Sequence, residues 1–222
     1  MLAIHDLLGS LAIDRPVFHS EADFQHAFAW LLHQRHPELA VRLEVPLRFG
    51  ESCLHLDVMA FSETLRVAVE IKYKTRAALC VAGTEVFGLT SQAAQDLGRY
   101  DFVRDVERLE RVAAARPGTI GYAILLTNDQ SYWKAGRPGS VDEDFRLYDG
   151  RRISGTLSWR AGAASGTIRG REAPLVLCGS YEATWRDYSE IGPKERDRFR
   201  YLAIALPRSA AAPSFSPSPS KG

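Results

Sequence analysis

Leu54-His-Leu-Asp-Val-Met-Ala-Phe61, a break at Ser62-Glu63-Thr64, and then Leu65-Arg-Val-Ala-Val-Glu-Ile-Lys-Tyr73 is the stretch on which the reading of this fold turns. Both runs are aliphatic and β-branched, and the turn between them is short and polar, so they read as an antiparallel pair of strands. Side chains on a strand alternate faces with period 2. Leu65, Val67, Val69, Ile71 and Tyr73 therefore point into a core, and Arg66, Ala68, Glu70 and Lys72 point to the opposite side. Glu70 and Lys72 become neighbours on a strand otherwise made for burial, where each is expensive to desolvate. Asp57 lies between Leu56 and Val58, and the pairing brings it beside Glu70. Two carboxylates converging near one lysine suit a hard divalent cation, since Mg²⁺ takes a few carboxylate oxygens, a backbone carbonyl and several waters. The plainer reading is a surface hairpin with an ordinary Glu70–Lys72 pair, and the apolar neighbours on both strands count against it.

Working outward towards the N-terminus, residues 21–35 read as a helix, with Ser20 as N-cap and Pro37 as stop. Its apolar stripe is Phe24, Ala27, Phe28, Leu31 and Leu32, spaced by three and four. Glu21 lies on that stripe one turn before Phe24 and Gln25, which aims it at the sheet. Val41 to Leu47 reads as a further strand, broken from the next by Gly50-Glu51-Ser52.

Glu21 on the first helix, Asp57 on a strand, and Glu70-Ile71-Lys72 on the next strand together resemble the PD-(D/E)XK nuclease superfamily. The resemblance covers roughly residues 20–132, and the residue before Asp57 is Leu56 where the family name has proline. It implies an α/β chain with a restriction-endonuclease-like core: a central mixed sheet of about four strands flanked by helices. It also implies a Mg²⁺ (or Mn²⁺) ion held by Asp57, Glu70 and the carbonyl of Ile71, with Glu21 binding metal through water or holding a second ion. Lys72 would then position or deprotonate the attacking water and stabilise the charge on the phosphate. The implied activity is hydrolysis of phosphodiester bonds in nucleic acid, with DNA as the partner and a role in restriction or defence. The other reading is a non-catalytic nucleic-acid-binding or scaffold protein on the same fold. A homodimer or a partner subunit is compatible with either.

A long helix is expected over residues 91–115, with Ala93, Leu97, Tyr100, Val103, Val106, Leu109 and Ala113 as its inner stripe. Helices following the ExK strand in the family carry a glutamine and sometimes a tyrosine near the metal. Gln95 with Tyr100 resembles this and Gln92 is an equal candidate, while Asp101, Arg104, Asp105 and Arg108 read equally well as a solvated, ion-paired face. Gly98 is unfavourable inside a helix by ~1 kcal/mol, which a close backbone approach would explain. Residues 76–89 read as irregular, and Gly121 to Thr127 as a buried strand. Lys72-Tyr73-Lys74-Thr75-Arg76 sets three basic groups around a tyrosine, either touching a phosphate backbone or snorkelling at a strand end. His19, His26, His33 and His36 lack the partners of a zinc site and read as solvated. His55 shares a face with Asp57.

Residues 134–172 carry eight basic residues against five acids with several glycines, and read as a β-rich insertion that either grips nucleic acid or is a solvated hairpin. Strands are expected over residues 153–159, 175–178 and 201–206, and Tyr181, Trp185 and Tyr188 have the spacing of a helical aromatic stripe. A single domain over residues 1–206 ending in a disordered Pro/Ser/Ala-rich tail, residues 207–222, accounts for the whole length. Composition is that of an ordinary globular chain, at 45% hydrophobic and 25% charged. The net charge of +1 gives no chain-wide footprint for nucleic acid, although 23 of the 28 basic residues are arginine. Three dispersed cysteines form no CxxC pair, which points to a reducing cytoplasm. No basic leader precedes the first apolar stretch, and no run approaches the ~18 apolar residues of a membrane span.

Overall fold

The computed structural model describes residues 2–50 and 52–206, so the expected disordered tail lies outside the described residues. Over the described residues the chain is an α/β protein built on a mixed central sheet with three α-helices. Helices α1 (Ile4–Asp14) and α2 (Glu21–Arg35) come first, then strands β1 (Ala40–Phe49), β2 (Ser52–Phe61) and β3 (Arg66–Lys74). A hairpin, β4 (Ala78–Ala82) and β5 (Glu85–Leu89), leads to helix α3 (Gln95–Ala115) and strand β6 (Thr119–Thr127). Strands β7 (Arg152–Leu157), β8 (Leu175–Glu182), β9 (Trp185–Glu190) and β10 (Arg198–Leu206) complete the described residues. The central sheet has the order β1-β2-β3-β6-β10-β9. Among the described residues only β3 and β6 pair in parallel, and the crossover that parallel pairing demands is supplied by α3.

The period-2 reading of β3 holds. Val67, Val69, Ile71 and Tyr73 pack in one core with α1 and α2, and Ala68 packs in a second core with α3. Strand β6, central and covered on both faces, is buried along its whole length, as its unbroken apolar run requires. The cap of α2 is also as expected, with the Asp23 amide donating to Ser20 Oγ at 3.1 Å.

The structure corrects four expectations. Helix α3 begins at Gln95, because residues 90–92 run alongside the end of β3: the Gln92 amide donates to Thr75 O, and Thr75 Oγ1 donates to Thr90 O. The chain turns into the helix only at Ala94, which takes a left-handed φ of 65°. Residues 78–89 are not irregular. They form the β4–β5 hairpin, whose Ala78, Cys80, Phe87 and Leu89 face the core while Leu79, Val81 and Val86 face solvent. Tyr181, Trp185 and Tyr188 lie on strands, and the odd separation of the last two sends Trp185 and Tyr188 into opposite cores. Within residues 134–172 only Arg152–Leu157 is strand; the rest is loop and turn apart from a short 3-10 helix at Glu143–Phe145.

That strand pairs with β8 as a two-stranded sheet lying outside α3. The free amides of β8 are taken by the helix: Val176 N donates to Glu107, and Cys178 N and Gly179 N donate to Glu110. Helix α3 is therefore covered on two sides, by the central sheet and by this ribbon. Gly98 shows the reason for its place, since a Cβ there would run into the hydroxyl of Tyr132.

Candidate functional site

The β2–β3 ladder runs from Phe61↔Arg66 to Val58↔Val69 and stops. Strand β2 stays with β1 down to Ser52, so the edge of β3 beyond Val69 is left open like a fork. Buried amides on an open edge need partners. Here the expected acids supply them: Ile71 N donates to Asp57 Oδ2 at 2.6 Å, and Tyr73 N donates to Glu21 Oε2 at 2.8 Å. Glu21 reaches this position because Ser20 caps α2 directly over the end of β3.

The fork has a local cause on the neighbouring strand. The β1–β2 register passes from Leu43↔Val58 to Val45↔Leu56, with Glu44 and Asp57 unpaired between them. Glu44 has a left-handed φ of 50°, a conformation that costs a non-glycine residue of order 1–3 kcal/mol. Leu56 and Val58, two residues apart, consequently enter opposite cores. Gln25, buried on α2, bridges the irregularity by donating to Asp57 O and Glu44 Oε1, each at 3.0 Å.

On the α3 side of β3, Glu70 and Lys72 meet two charged groups of the helix. Lys72 Nζ lies 2.8 Å from Asp105 Oδ2 and 3.3 Å from the carbonyl of Ile71. Arg108 spans Asp105 at 3.1 Å and Glu70 Oε1 at 3.3 Å, and also donates to His55 O at 2.8 Å. The Glu70 side chain is 1% exposed, and neither of its oxygens accepts a hydrogen bond. Four carboxylates, from Glu21, Asp57, Glu70 and Asp105, thus surround two cations, Lys72 and Arg108.

Electrostatics follow from burial and this imbalance. Burial first, then the charges of Asp105 and Asp57, push the Glu70 carboxyl up to about 9, against the pull of Arg108 and Lys72. Burial also raises Asp57, opposed by Lys72 and by the Ile71 amide. Burial alone would lower Lys72, but Asp105, Glu21 and Asp57 outweigh it and hold the ammonium charged.

The structure brings Glu21, Asp57, Glu70, Ile71 and Lys72 together and leaves Gln95 out. Gln95 sits at the start of α3 and donates to Asp129 Oδ2 at 3.0 Å, just past the end of β6. Gln92 precedes the helix and is exposed. Tyr100 faces the outer ribbon, stacked on Trp159 with its hydroxyl on Ala173 O. The side chain of His55 is exposed, and only its carbonyl joins the site.

Asp105 and Arg108 are the participants that sequence reasoning assigned to a solvated face. A signal was available: Asp105 lies three residues after Phe102 and four before Leu109, both buried, so it belongs to the inner stripe. Among the described residues, no three His, Cys, Asp or Glu side chains form a ready-made metal cage. Comparison with family models, curated proteins and solved structures gave no match.

Proposed function

We propose that the chain is a divalent-cation-dependent phosphodiesterase of the restriction-endonuclease-like, PD-(D/E)XK kind, acting on nucleic acid and on DNA in particular. One observation carries the reading: a buried Glu70 that accepts no hydrogen bond and is met only by the Arg108 ion pair at 3.3 Å, beside Asp57 in an open strand fork where carboxylates outnumber cations. A buried carboxylate without donors is costly unless a cation completes it. The donors suit a hard ion. Glu70 offers both oxygens, Asp57 the oxygen not held by Ile71 N, and Ile71 its carbonyl, with Glu21 close behind. Bound there, Mg²⁺ or Mn²⁺ would supply Lewis-acid stabilisation of the phosphoryl oxygens.

The chain's own groups do the rest. Asp105 holds the Lys72 ammonium in place and charged, so Lys72 serves as a fixed positive group for the developing phosphate charge and not as a general base. Arg108, resting on Glu70, lies within reach of the same region and adds a second, bidentate-capable phosphate contact. Gln25 and the strained Glu44 keep Asp57 at the mouth of the fork.

The test is cleavage of duplex, single-stranded and branched DNA, and of RNA, with Mg²⁺ or Mn²⁺, by the full chain and by Asp57→Ala and Lys72→Ala. Cleavage by the parent chain that both variants lose is the expected result. A pure, folded chain that cuts none of these substrates sinks the reading. One observation favours the non-catalytic alternative, namely that Arg108 already stands where an ion would neutralise Glu70. Nucleic-acid binding that ignores divalent ions and survives Asp57→Ala would select it.

A further inference from the structure

Past the end of β3 the chain enters a cavity of about 390 Å³, a size that accommodates a nucleotide-scale group. It is lined by Arg76, Asn128, Lys194, Glu195 and Arg196, among others. Its walls are tied down. Buried Asn128 accepts from Arg76 N at 2.7 Å and donates to the carbonyls of Arg76 at 3.2 Å and Arg196 at 2.8 Å. Its charges are not. Among the described residues, no carboxylate lies at ion-pair distance from Arg76, Lys194 or Arg196, and the one acid in the lining, Glu195, is already engaged by Lys134 and Gln130. Arg196 makes only a long 3.4 Å contact with Ala77 O.

A preformed polar hollow with three cations and one occupied acid is complementary to an anion. We infer that this cavity is a phosphate-binding subsite which holds a nucleic-acid strand by a phosphate group near the cleavage site. The inference rests on the proposed function for its substrate class and on the cavity alone for its chemistry. Arg76 follows Lys72 by four residues, two of them past the end of β3, so their Cα atoms lie within about 14 Å even if the chain is fully extended. That span places the held phosphate within a few nucleotides of the fork. Arginine and lysine suit this task, the guanidinium forking onto phosphate oxygens and the ammonium acting as a point charge. The phosphate can be an internal phosphodiester or a terminal monoester, and the two demand different enzymes: one that cuts within a strand, or one that starts at its end.

The experiment is a titration of the full chain, in chelator so that nothing is cut, with a labelled single-stranded oligonucleotide bearing or lacking a 5′-phosphate, and separately with inorganic phosphate. The variants are Arg76→Gln, Lys194→Gln and the pair, with melting temperature and Mn²⁺ binding confirming that fold and fork are intact. The expected result is roughly tenfold weaker oligonucleotide binding in the double variant. Its slope of log affinity against log salt should be shallower by about 0.7 per cation removed. If the parent chain loses the same affinity when the 5′-phosphate is absent, the subsite takes strand ends; if not, it takes internal phosphodiesters. Inorganic phosphate bound by the parent and lost by the variants, with no oligonucleotide binding at all, keeps the anion site and removes the nucleic-acid reading. Equal affinities for oligonucleotide and phosphate in parent and variants overturn the inference.

Discussion

Helix α3 carries two buried charge clusters, and they are built on opposite principles. Near its start, Arg99 donates to Asp142 Oδ2 at 2.8 Å and to Ser131 O at 2.7 Å, while Arg146 pairs with the other Asp142 oxygen at 3.0 Å. Both oxygens of Asp142 are answered, and two guanidinium groups face one carboxylate across the inside of the molecule. Two turns later Asp105 and Arg108 meet Glu70 and Lys72, where neither Glu70 oxygen accepts a hydrogen bond, Oε1 has only the 3.3 Å ion pair with Arg108, and carboxylates outnumber cations. The first cluster joins the 134–172 segment to the helix. The second has carboxylates in excess, and on the proposed function a divalent cation makes up the difference. On the proposed function, the missing hydrogen bonds on the Glu70 carboxylate, set against an Asp142 whose two oxygens are both engaged, separate the second cluster from the first, since burial of charge is common to both.

The contrast can be broken by mutation. The largest effect belongs to the fork: if the proposed function holds, Asp57→Ala should abolish metal-dependent cleavage and Lys72→Ala should lower the turnover rate on the order of a thousandfold, with the melting curve showing that the fold survives. Asp142→Ala does the reverse. It strands Arg99 in the interior, and the expected loss is about 3–5 kcal/mol of stability, a drop of roughly 10 °C in melting temperature for a chain of this size, with activity per folded molecule unchanged. If Asp142→Ala instead destroys activity at full stability, the distinction drawn between the clusters is wrong.

Metal and pH sharpen it further. Mg²⁺ at a hundredfold excess over its dissociation constant should add about 2.7 kcal/mol of stability. That gain should vanish in Glu70→Gln and persist in Asp142→Ala, as read from melts with and without chelator. Without metal, Glu70 keeps its proton in the folded state up to about pH 9 but loses it near 4.5 when unfolded. The unfolded chain therefore binds fewer protons across that window, and the stability of the metal-free protein falls as pH rises from about 4.5 to about 9. Glu70→Gln should flatten the slope and raise stability at pH 8.5; an identical pH profile for parent and variant would show that Glu70 is ionised throughout. The smallest effect lies outside both clusters, at Ser20→Ala, which removes the α2 cap beneath Glu21 for about 1 kcal/mol in a denaturant titration.

Much of this was legible from residues alone, and the reasons for success and failure are physical. The alternation of Leu65 to Tyr73 placed Glu70 and Lys72 on one face correctly, and Ser20 announced the helix that carries Glu21. Gln95 was misplaced because the spacing of a helix says nothing about where the helix begins. That point depended on hydrogen bonds between residues 90–92 and Thr75. The β4–β5 hairpin was missed because Ala78-Leu-Cys-Val-Ala82 is apolar on both of its faces, so period 2 left no trace. Tyr181, Trp185 and Tyr188 matched helical spacing by coincidence, across a junction between two strands. Asp105 and Arg108 were read as solvated because charge on a long helix normally is.

By itself the sequence determined the local elements and their faces: which strand residues point together, where α2 is capped, and which acids and amine share a side. Those are set by backbone geometry, which repeats every two or 3.6 residues whatever the rest of the chain does. The tertiary structure alone decided that the β2–β3 ladder ends at Val58↔Val69, that Glu44 takes a left-handed turn beside Asp57, and that α3 lays Asp105 and Arg108 over Glu70 and Lys72. Register, the end of a ladder and the docking of a helix depend on packing between segments far apart in the chain, and no local period encodes them.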